Sequence, residues 1–234
     1  MSKTFYEVKV VGDNGILVRF EEKIDININK KVNILKENLL NEKIEGVVEL
    51  VPSYRSLLIT YDPIKISFYE LKDKILKLTI KNENFTFKTK RVIKLPAYFG
   101  SDLAIDLPYV AKYHNITEQK VVKTLLKRIY FVYMYGFYPG FIYLGGLPKI
   151  LHTPRVYSPR INIPKGSIGI GGEQLGIYSL NSPGGFRIVG FTYENLIILN
   201  KKIEPKIKEG DFIKFEKVSK ECFLKNYDGE LKFY

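Results

Sequence analysis

Residues 136–148 read Gly136-Phe137-Tyr138-Pro139-Gly140-Phe141-Ile142-Tyr143-Leu144-Gly145-Gly146-Leu147-Pro148. The chain continues in the same style through Thr153-Pro154-Arg155, Ser158-Pro159-Arg160, Pro164-Lys165-Gly166-Ser167, Gly171-Gly172-Glu173-Gln174-Leu175-Gly176-Ile177-Tyr178 and Ser182-Pro183-Gly184-Gly185-Phe186. Glycine supplies backbone angles closed to other residues, and proline fixes its own φ and removes an N–H. Such a density of both marks individually shaped turns. Aromatics and short β-branched runs lie between the turns, as in a β-rich domain with constructed loops and not as in a flexible linker.

Outward from this stretch, strand-like runs recur roughly every 8–12 residues, at 129–135, 167–170, 176–179, 186–189, 195–199 and 212–216. That spacing implies a barrel or a sandwich. Upstream, 91–96 reads as a strand. Asp106-Leu107-Pro108 opens a short helix, with proline where no N–H is needed, and Thr117 opens a second that runs to about Arg128. The tail from 223 to 234 carries Asp228-Gly229 and reads as an extra hairpin. The N-terminal part has another character. Residues 7–11 and 16–20 flank Gly12-Asp13-Asn14-Gly15, a hairpin signal. Ile28, Val32, Leu35 and Leu39 then recur at helical spacing, with Asn27 as the expected N-cap. Residues 47–51 and 57–61 are strand-like, and Ser67-Phe68-Tyr69-Glu70 has the spacing of a capping box before Leu71, Ile75 and Leu78. A further strand is expected near 85–90. The order ββαββα is satisfied by two helices on one face of an antiparallel sheet.

The chain has 234 residues, 45% of them hydrophobic, with one cysteine and a formal net charge of +12. No apolar run approaches the roughly 20 residues that span a bilayer, and Met1-Ser2-Lys3-Thr4-Phe5 lacks the apolar core of a signal peptide. Cys222 has no intrachain partner for a disulfide. These features lead us to expect a cytoplasmic protein without membrane attachment. The positive charge is mostly lysine, spread along the chain and mixed with acids, which is a solvated surface and not a footprint for specific nucleic acid binding.

His114 and His152 are the only histidines, so a His/Cys zinc site is not expected. His114 reads as a solvated residue between helices, and His152 lies near the Pro-Arg turns. Residues 140–147 share the glycine spacing of a phosphate loop but lack its Lys-Ser/Thr. Anion and amide recognition remains. Arg155 and Arg160 each follow a proline, and a guanidinium grips a carboxylate at two points. Both are expected on exposed loops, where the alternative is pairing with loop carbonyls or a surface acid. Ser167, Gln174 and Tyr178 are further polar candidates, the last two for an amide or lactam. Gly184-Gly185 could present backbone N–H groups to an oxyanion. Phe137, Tyr138, Pro139, Phe141 and Tyr143 are too apolar together to be solvated throughout, and read as core or partner interface.

The ordered set Gly-Phe-x-Pro-Gly-Phe-x-Tyr-Leu-Gly-Gly-Leu (136–147), Pro-Arg-x-x-x-Pro-Arg (154–160), Pro-x-Gly-Ser (164–167), Gln-x-Gly-Ile-Tyr (174–178) and Ser-Pro-Gly-Gly (182–185) resembles the family of the B-type subunit of 5-oxoprolinase, which includes allophanate hydrolase subunit 1 and the Kip-type inhibitor of a histidine kinase. Residues 46–58, Tyr61-Asp62-Pro63, Gly100-Ser101-Asp102-Leu103 and Gly210-Asp211 extend the match. The expected fold is α+β, with an N-terminal ferredoxin-like α/β sandwich over 1–90 and a C-terminal β-barrel over 91–234. The resemblance implies that this barrel is cyclophilin-like. It also implies ATP-dependent opening of 5-oxoproline, with a C-type barrel protein and a large 5-oxoprolinase subunit as partners. No cofactor is expected on this chain alone; ATP with Mg is expected in the assembled complex. The alternatives are a Kip-type inhibitor acting on a histidine kinase, an allophanate hydrolase or urea carboxylase subunit, and a scaffold that keeps only the fold. The chain departs from the family pattern at Leu125 (a His in many relatives), Phe186 (Trp), Phe191 (Arg) and Ser101 (Pro). Loss of that His and Arg removes a candidate base and a candidate anion contact.

Overall fold

The computed structural model describes residues 6–78, 87, 91–199 and 203–233. Two compact units divide the chain, Met1–Phe87 and Lys88–Tyr234. The strand expected near 85–90 lies almost wholly outside the described residues.

In the first unit the order is β1 (Glu7–Val11), β2 (Gly15–Arg19), α1 (Ile26–Glu42), β3 (Val47–Pro52), β4 (Ser56–Tyr61) and α2 (Phe68–Lys77). The strands form one antiparallel sheet in the order β1-β2-β4-β3. Side chains alternate across a strand, so Ile16, Val18, Leu57 and Ile59 share one face. They make a single core with Ile28, Val32, Leu35 and Leu39 of α1 and Leu71 and Ile75 of α2. Ser67 and Glu70 form the expected capping box. The cap of α1 is Asp25 and not Asn27, because the Asp25 carboxylate accepts from the N–H groups of Asn27 (2.8 Å) and Ile28 (3.4 Å). Asn27 already sits inside the first turn, past the position from which a side chain reaches those orphan donors.

The second unit contains β5 (Val92–Ala97), α3 (Leu107–Tyr113), α4 (Glu118–Leu126), β6 (Tyr130–Tyr135), β7 (Ile142–Gly145), β8 (Arg160–Ile163), β9 (Ser167–Gly171), β10 (Gln174–Ile177), β11 (Ser182–Gly184), β12 (Arg187–Phe191), β13 (Ile197–Leu199), β14 (Ile203–Pro205), β15 (Phe212–Lys217) and α5 (Lys220–Asn226). Seven strands pair in the order β12-β9-β10-β7-β6-β15-β5, all antiparallel except β15 with β5. The two edges then meet. The N–H of Tyr98, just past β5, donates to the carbonyl of Phe191 at 2.7 Å, and the N–H of Phe191 returns the bond at 2.8 Å. This pair brings the sheet nearly to a closed barrel.

Alternation gives the barrel wall two apolar faces. Ile142 and Leu144, Ile168 and Ile170, and Leu175 and Ile177 point to a core shared with Leu107, Val110, Val121 and Leu125 of α3 and α4. The opposite face of β9 and β10 carries Gly169, Gly171 and Gly176. There Phe141, Tyr178, Phe186, Phe191 and Phe223 form an aromatic cluster. The missing side chains are required: a Cβ on Gly171 would lie 2.5 Å from the Phe186 ring, and one on Gly176 would lie 2.6 Å from the Phe141 ring. Glycine therefore lets two rings lie directly on the strand backbone. The tail is not a hairpin but helix α5, capped by the Ser219 hydroxyl, which accepts from the Cys222 N–H at 3.2 Å. Phe223, with no exposed area, packs on Tyr98 and Phe191. Among the described residues no helix is long and apolar enough to cross a membrane.

Candidate functional site

The aromatic cluster opens outward into a pocket of about 310 Å³. Its walls come from three separate segments. Phe137, Phe141 and Tyr143 flank and begin β7; Arg155, Val156 and Pro159 come from the loop before β8; Tyr178, Pro183, Gly184, Gly185 and Phe186 follow β10 and precede β12. Phe186 and Phe141 form the floor because the glycines of β9 and β10 let them in. Phe141 and Phe186 are buried, whereas Phe137 is 60% exposed and has a φ of 66°. Phenylalanine is uncommon in this left-handed region, so the turn holds this ring at the pocket rim against its backbone preference.

Arg155 supplies the only charge among the residues lining this pocket. Its Nη2 donates to Gln174 Oε1 at 3.0 Å, and its guanidinium carbon lies 4.9 Å from the centre of the Phe186 ring. Among the described residues no carboxylate lies within ion-pairing distance of it. The hydrogen bond and the ring orient the cation and leave its charge unneutralised beside an apolar cavity. Arg155 itself is exposed at the mouth of the pocket, and a guanidinium so placed can bind an anion at two points. Burial pushes the phenol of Tyr178 up to about 12 and raises that of Tyr143 as well. Both therefore remain neutral at physiological pH.

The other residues singled out from the sequence fall elsewhere. Arg160 does not line the pocket and is not on an exposed loop. It opens β8 with its side chain only 20% exposed, and its Nη2 donates to Asp106 Oδ1 at 2.8 Å. The paired arginine clamp is thus divided: Arg155 faces the cavity, while Arg160 faces the protein's own carboxylate. Ser167 is buried and its hydroxyl donates to the Pro164 carbonyl at 2.7 Å. Gln174 holds Arg155 and is not itself a pocket wall. Tyr138 and Pro139 belong to the turn beside Phe137; the Tyr138 hydroxyl donates to the Leu180 carbonyl at 3.2 Å, and the Pro139 carbonyl accepts from the Ser179 hydroxyl at 2.8 Å.

His114 is not simply solvated. It is half-buried, with Nε2 3.0 Å from Thr153 Oγ1. The Thr153 hydroxyl already donates to the Leu151 carbonyl at 2.9 Å, so the His114 nitrogen is the donor to it. Burial, followed by the neighbouring His152, lowers the pKa of His114. His152 Nε2 meets the Leu147 carbonyl at 3.0 Å. Neither histidine lines the pocket. Leu125 and Phe191, two of the positions expected to depart from the family pattern, are both fully buried in apolar clusters. These positions serve packing here, and the pocket walls do not include them.

Sequence reasoning missed Asp106 and Arg187. Asp106 sits at the N-cap position of α3 but makes no capping bond. A larger groove of about 440 Å³ runs along α4, with Lys123, Lys127 and Lys217 at its edge. It includes none of the residues proposed from the sequence for substrate binding or the partner interface.

The fold and site define an α+β protein whose barrel carries an outward-facing aromatic pocket with one oriented arginine. The chain belongs to the family of the carboxyltransferase domain, subdomain C and D, whose model matches residues 6–205. The B-type subunit of 5-oxoprolinase from Haemophilus influenzae is 37% identical over 171 residues, 73% of this chain and 79% of that protein. The protein of the same name from Bacillus subtilis is 29% identical over 228 residues, 93% of this chain and 95% of that one. The crystal structure of TTHA0988 superposes with a TM-score of 0.72 at 29% identity. The match covers 88% of this chain, which spans only 40% of that longer one.

Proposed function

We propose that this chain is the B-type subunit of an ATP-dependent 5-oxoprolinase, and that its pocket holds the substrate carboxylate against Arg155 where a partner barrel subunit docks. One observation carries the reading. Residues that the sequence assigns to substrate binding (Arg155, Tyr178, Gly184, Gly185) and residues it assigns to core or a partner interface (Phe137, Phe141, Tyr143) line the same pocket. A substrate held there would sit at the seam between two subunits. In this reading the ring lies on the aromatic floor, the carboxylate meets the guanidinium, and the neutral phenol of Tyr178 is a hydrogen-bond donor.

Residues 140–147 do not fit a phosphate-binding loop. They enter β7, and only a short 3-10 helix, Lys149–Leu151, follows. In this reading ATP with Mg, whose role would be to activate the lactam, is bound in the assembled complex, and this chain binds and orients the small acid. The reading adopts the ferredoxin-like name for the first unit, the cyclophilin-like name for the barrel, and a cytoplasmic setting. Allophanate is the alternative small acid.

A second reading, inhibition of a histidine kinase, is favoured by the loop that supplies Val156 and Pro159. It also presents Tyr157 fully to solvent, and β8, which follows it, leaves Ile161 79% exposed. Such residues suit a protein surface better than a small ligand.

The test is 5-oxoproline-dependent ATP hydrolysis by this chain with its partner barrel and large subunits, with allophanate and autophosphorylation of a co-occurring histidine kinase as parallel arms. Turnover should require this chain. Arg155→Lys keeps the charge but loses the planar two-point contact, at about 1.5–3 kcal/mol per charge-assisted bond, or roughly ten- to a hundredfold in apparent affinity. Normal turnover by Arg155→Lys would remove Arg155 from the site. Kinase inhibition without turnover of either acid would favour the second reading.

A further inference from the structure

Asp106 is buried, with 5% of its side chain exposed, and gathers three donors. Its Oδ1 accepts from Arg160 Nη2 at 2.8 Å and from Arg187 Nη1 at 3.4 Å, and its Oδ2 accepts from the Ile188 N–H at 2.7 Å. Arg187 also lies over Tyr109 of α3, its guanidinium carbon 3.7 Å from the ring centre. Two cations thus converge on one carboxylate that declines the capping role its position offers.

Both arginines reach beyond the carboxylate to the backbone around Arg155. Arg187 Nε donates to the Pro154 carbonyl at 3.3 Å, and Pro154 immediately precedes Arg155. Arg160 Nη1 donates to the carbonyl of Phe186 at 3.4 Å, and the ring of Phe186 lies beneath Arg155. On the other side of Arg155, the Val156 N–H donates to the Gly185 carbonyl at 2.9 Å.

We infer that Asp106 is a positioning residue, which sets the direction of Arg155 through Arg160 and Arg187. The inference rests on the role proposed for Arg155. Without the carboxylate, two guanidinium groups exposed by only 20% and 16% face each other unneutralised. A buried charge stripped of its partner is strongly disfavoured. Both arginines then turn toward water and release the Pro154 and Phe186 carbonyls, so the segment and the ring that orient Arg155 lose their fixed places. The substitution alters no atom that touches the ligand, yet it loosens the one cation that does.

The experiment compares Asp106→Asn, Arg155→Lys and the double variant in the assembled complex, and follows the Arg155 Nε–Hε resonance by NMR in the chain alone. Asp106→Asn should raise KM for 5-oxoproline about tenfold while kcat stays within about twofold, since loss of orientation acts on binding. It should add nothing to the effect of Arg155→Lys, and it should shift or broaden the Arg155 resonance. Multiplicative effects in the double variant, or an unchanged Arg155 resonance in folded Asp106→Asn, overturn the inference. If Arg155→Lys leaves KM unchanged, the substrate reading fails, and the Arg155 resonance alone decides the positioning. If Asp106→Asn does not fold, Arg187→Gln, which keeps the Asp106–Arg160 pair and removes the hold on Pro154, takes its place with the same outcomes.

Discussion

The shelf on which Phe141 and Phe186 rest makes Gly176→Ala a sharp perturbation. A Cβ there would lie 2.6 and 2.9 Å from two atoms of the Phe141 ring and 3.0 Å from the Phe186 ring. Carbon atoms at rest sit about 3.5–4.0 Å apart, so the rings must retreat by about 1 Å. They have little room to do so. Phe141 is 1% exposed, with Tyr143 and Tyr178 packed on it at ring-centre distances of 4.6 and 4.9 Å. Overpacking of this kind costs about 1–3 kcal/mol. The φ of Gly176 lies outside the left-handed region, so alanine is otherwise allowed and regains about 0.4–1 kcal/mol by restricting the unfolded chain. The expected net loss is about 1–2 kcal/mol. In a Phe141→Leu background the nearest ring is gone, and Gly176→Ala should become neutral or mildly stabilising. The two substitutions are therefore coupled by at least about 1 kcal/mol. Hydrogen exchange of the amides in β9 and β10 measures this locally and does not depend on the two units unfolding together. If Gly176→Ala costs the same in both backgrounds, within about 0.5 kcal/mol, the rings do not rest on the strand backbone and the floor of the pocket is wrongly built.

Phe223→Ala should destabilise the second unit by about 3–5 kcal/mol in urea titrations, because the ring is fully buried against Tyr98, Phe191 and Tyr227; a loss under about 1 kcal/mol would mean that α5 is an appendage. Burial raises the Tyr178 phenol from 10.0 to about 12, so its neutral form favours folding. That contribution is complete below pH 10 and is lost as the pH rises toward 12. Tyr178→Phe should therefore lose less stability than the parent chain over that window, and equal slopes would rule out a buried phenol there.

The first unit was legible because its signals are local. Ser67 and Glu70 stand three residues apart and close their capping box within one turn. The spacing of Ile28, Val32, Leu35 and Leu39 states which face of α1 is buried. The cap of that helix lies two residues from its expected place because Asp25 and Asn27 both have side chains suited to capping; the backbone alone shows that Asp25 is the residue outside the first turn with extended φ and ψ. The barrel was legible as a succession of strands, but not in its boundaries. β7 was hidden inside the run 137–147, whose aromatics and glycines read equally well as core or interface. In the tail, Asp228-Gly229 signals a hairpin, whereas Ser219 starts a helix eight residues before α5 gives way at Tyr227. A turn signal competes there with burial of Phe223, and burial of a large aromatic outweighs the preference of a dipeptide.

By itself the sequence determined the mixed composition of the fold, the family, and the stretch whose turns go on to line the aromatic pocket, because turns, caps and periodicity are properties of neighbouring residues. Only the tertiary structure decided what each polar side chain is for. Arg155 and Arg160 look alike in the chain, each after a proline. One faces an apolar pocket, held by a glutamine and the Phe186 ring, while the other closes on Asp106, 54 residues earlier. The energy of a charge depends on what surrounds it, and those surroundings come from segments that meet only when the barrel closes.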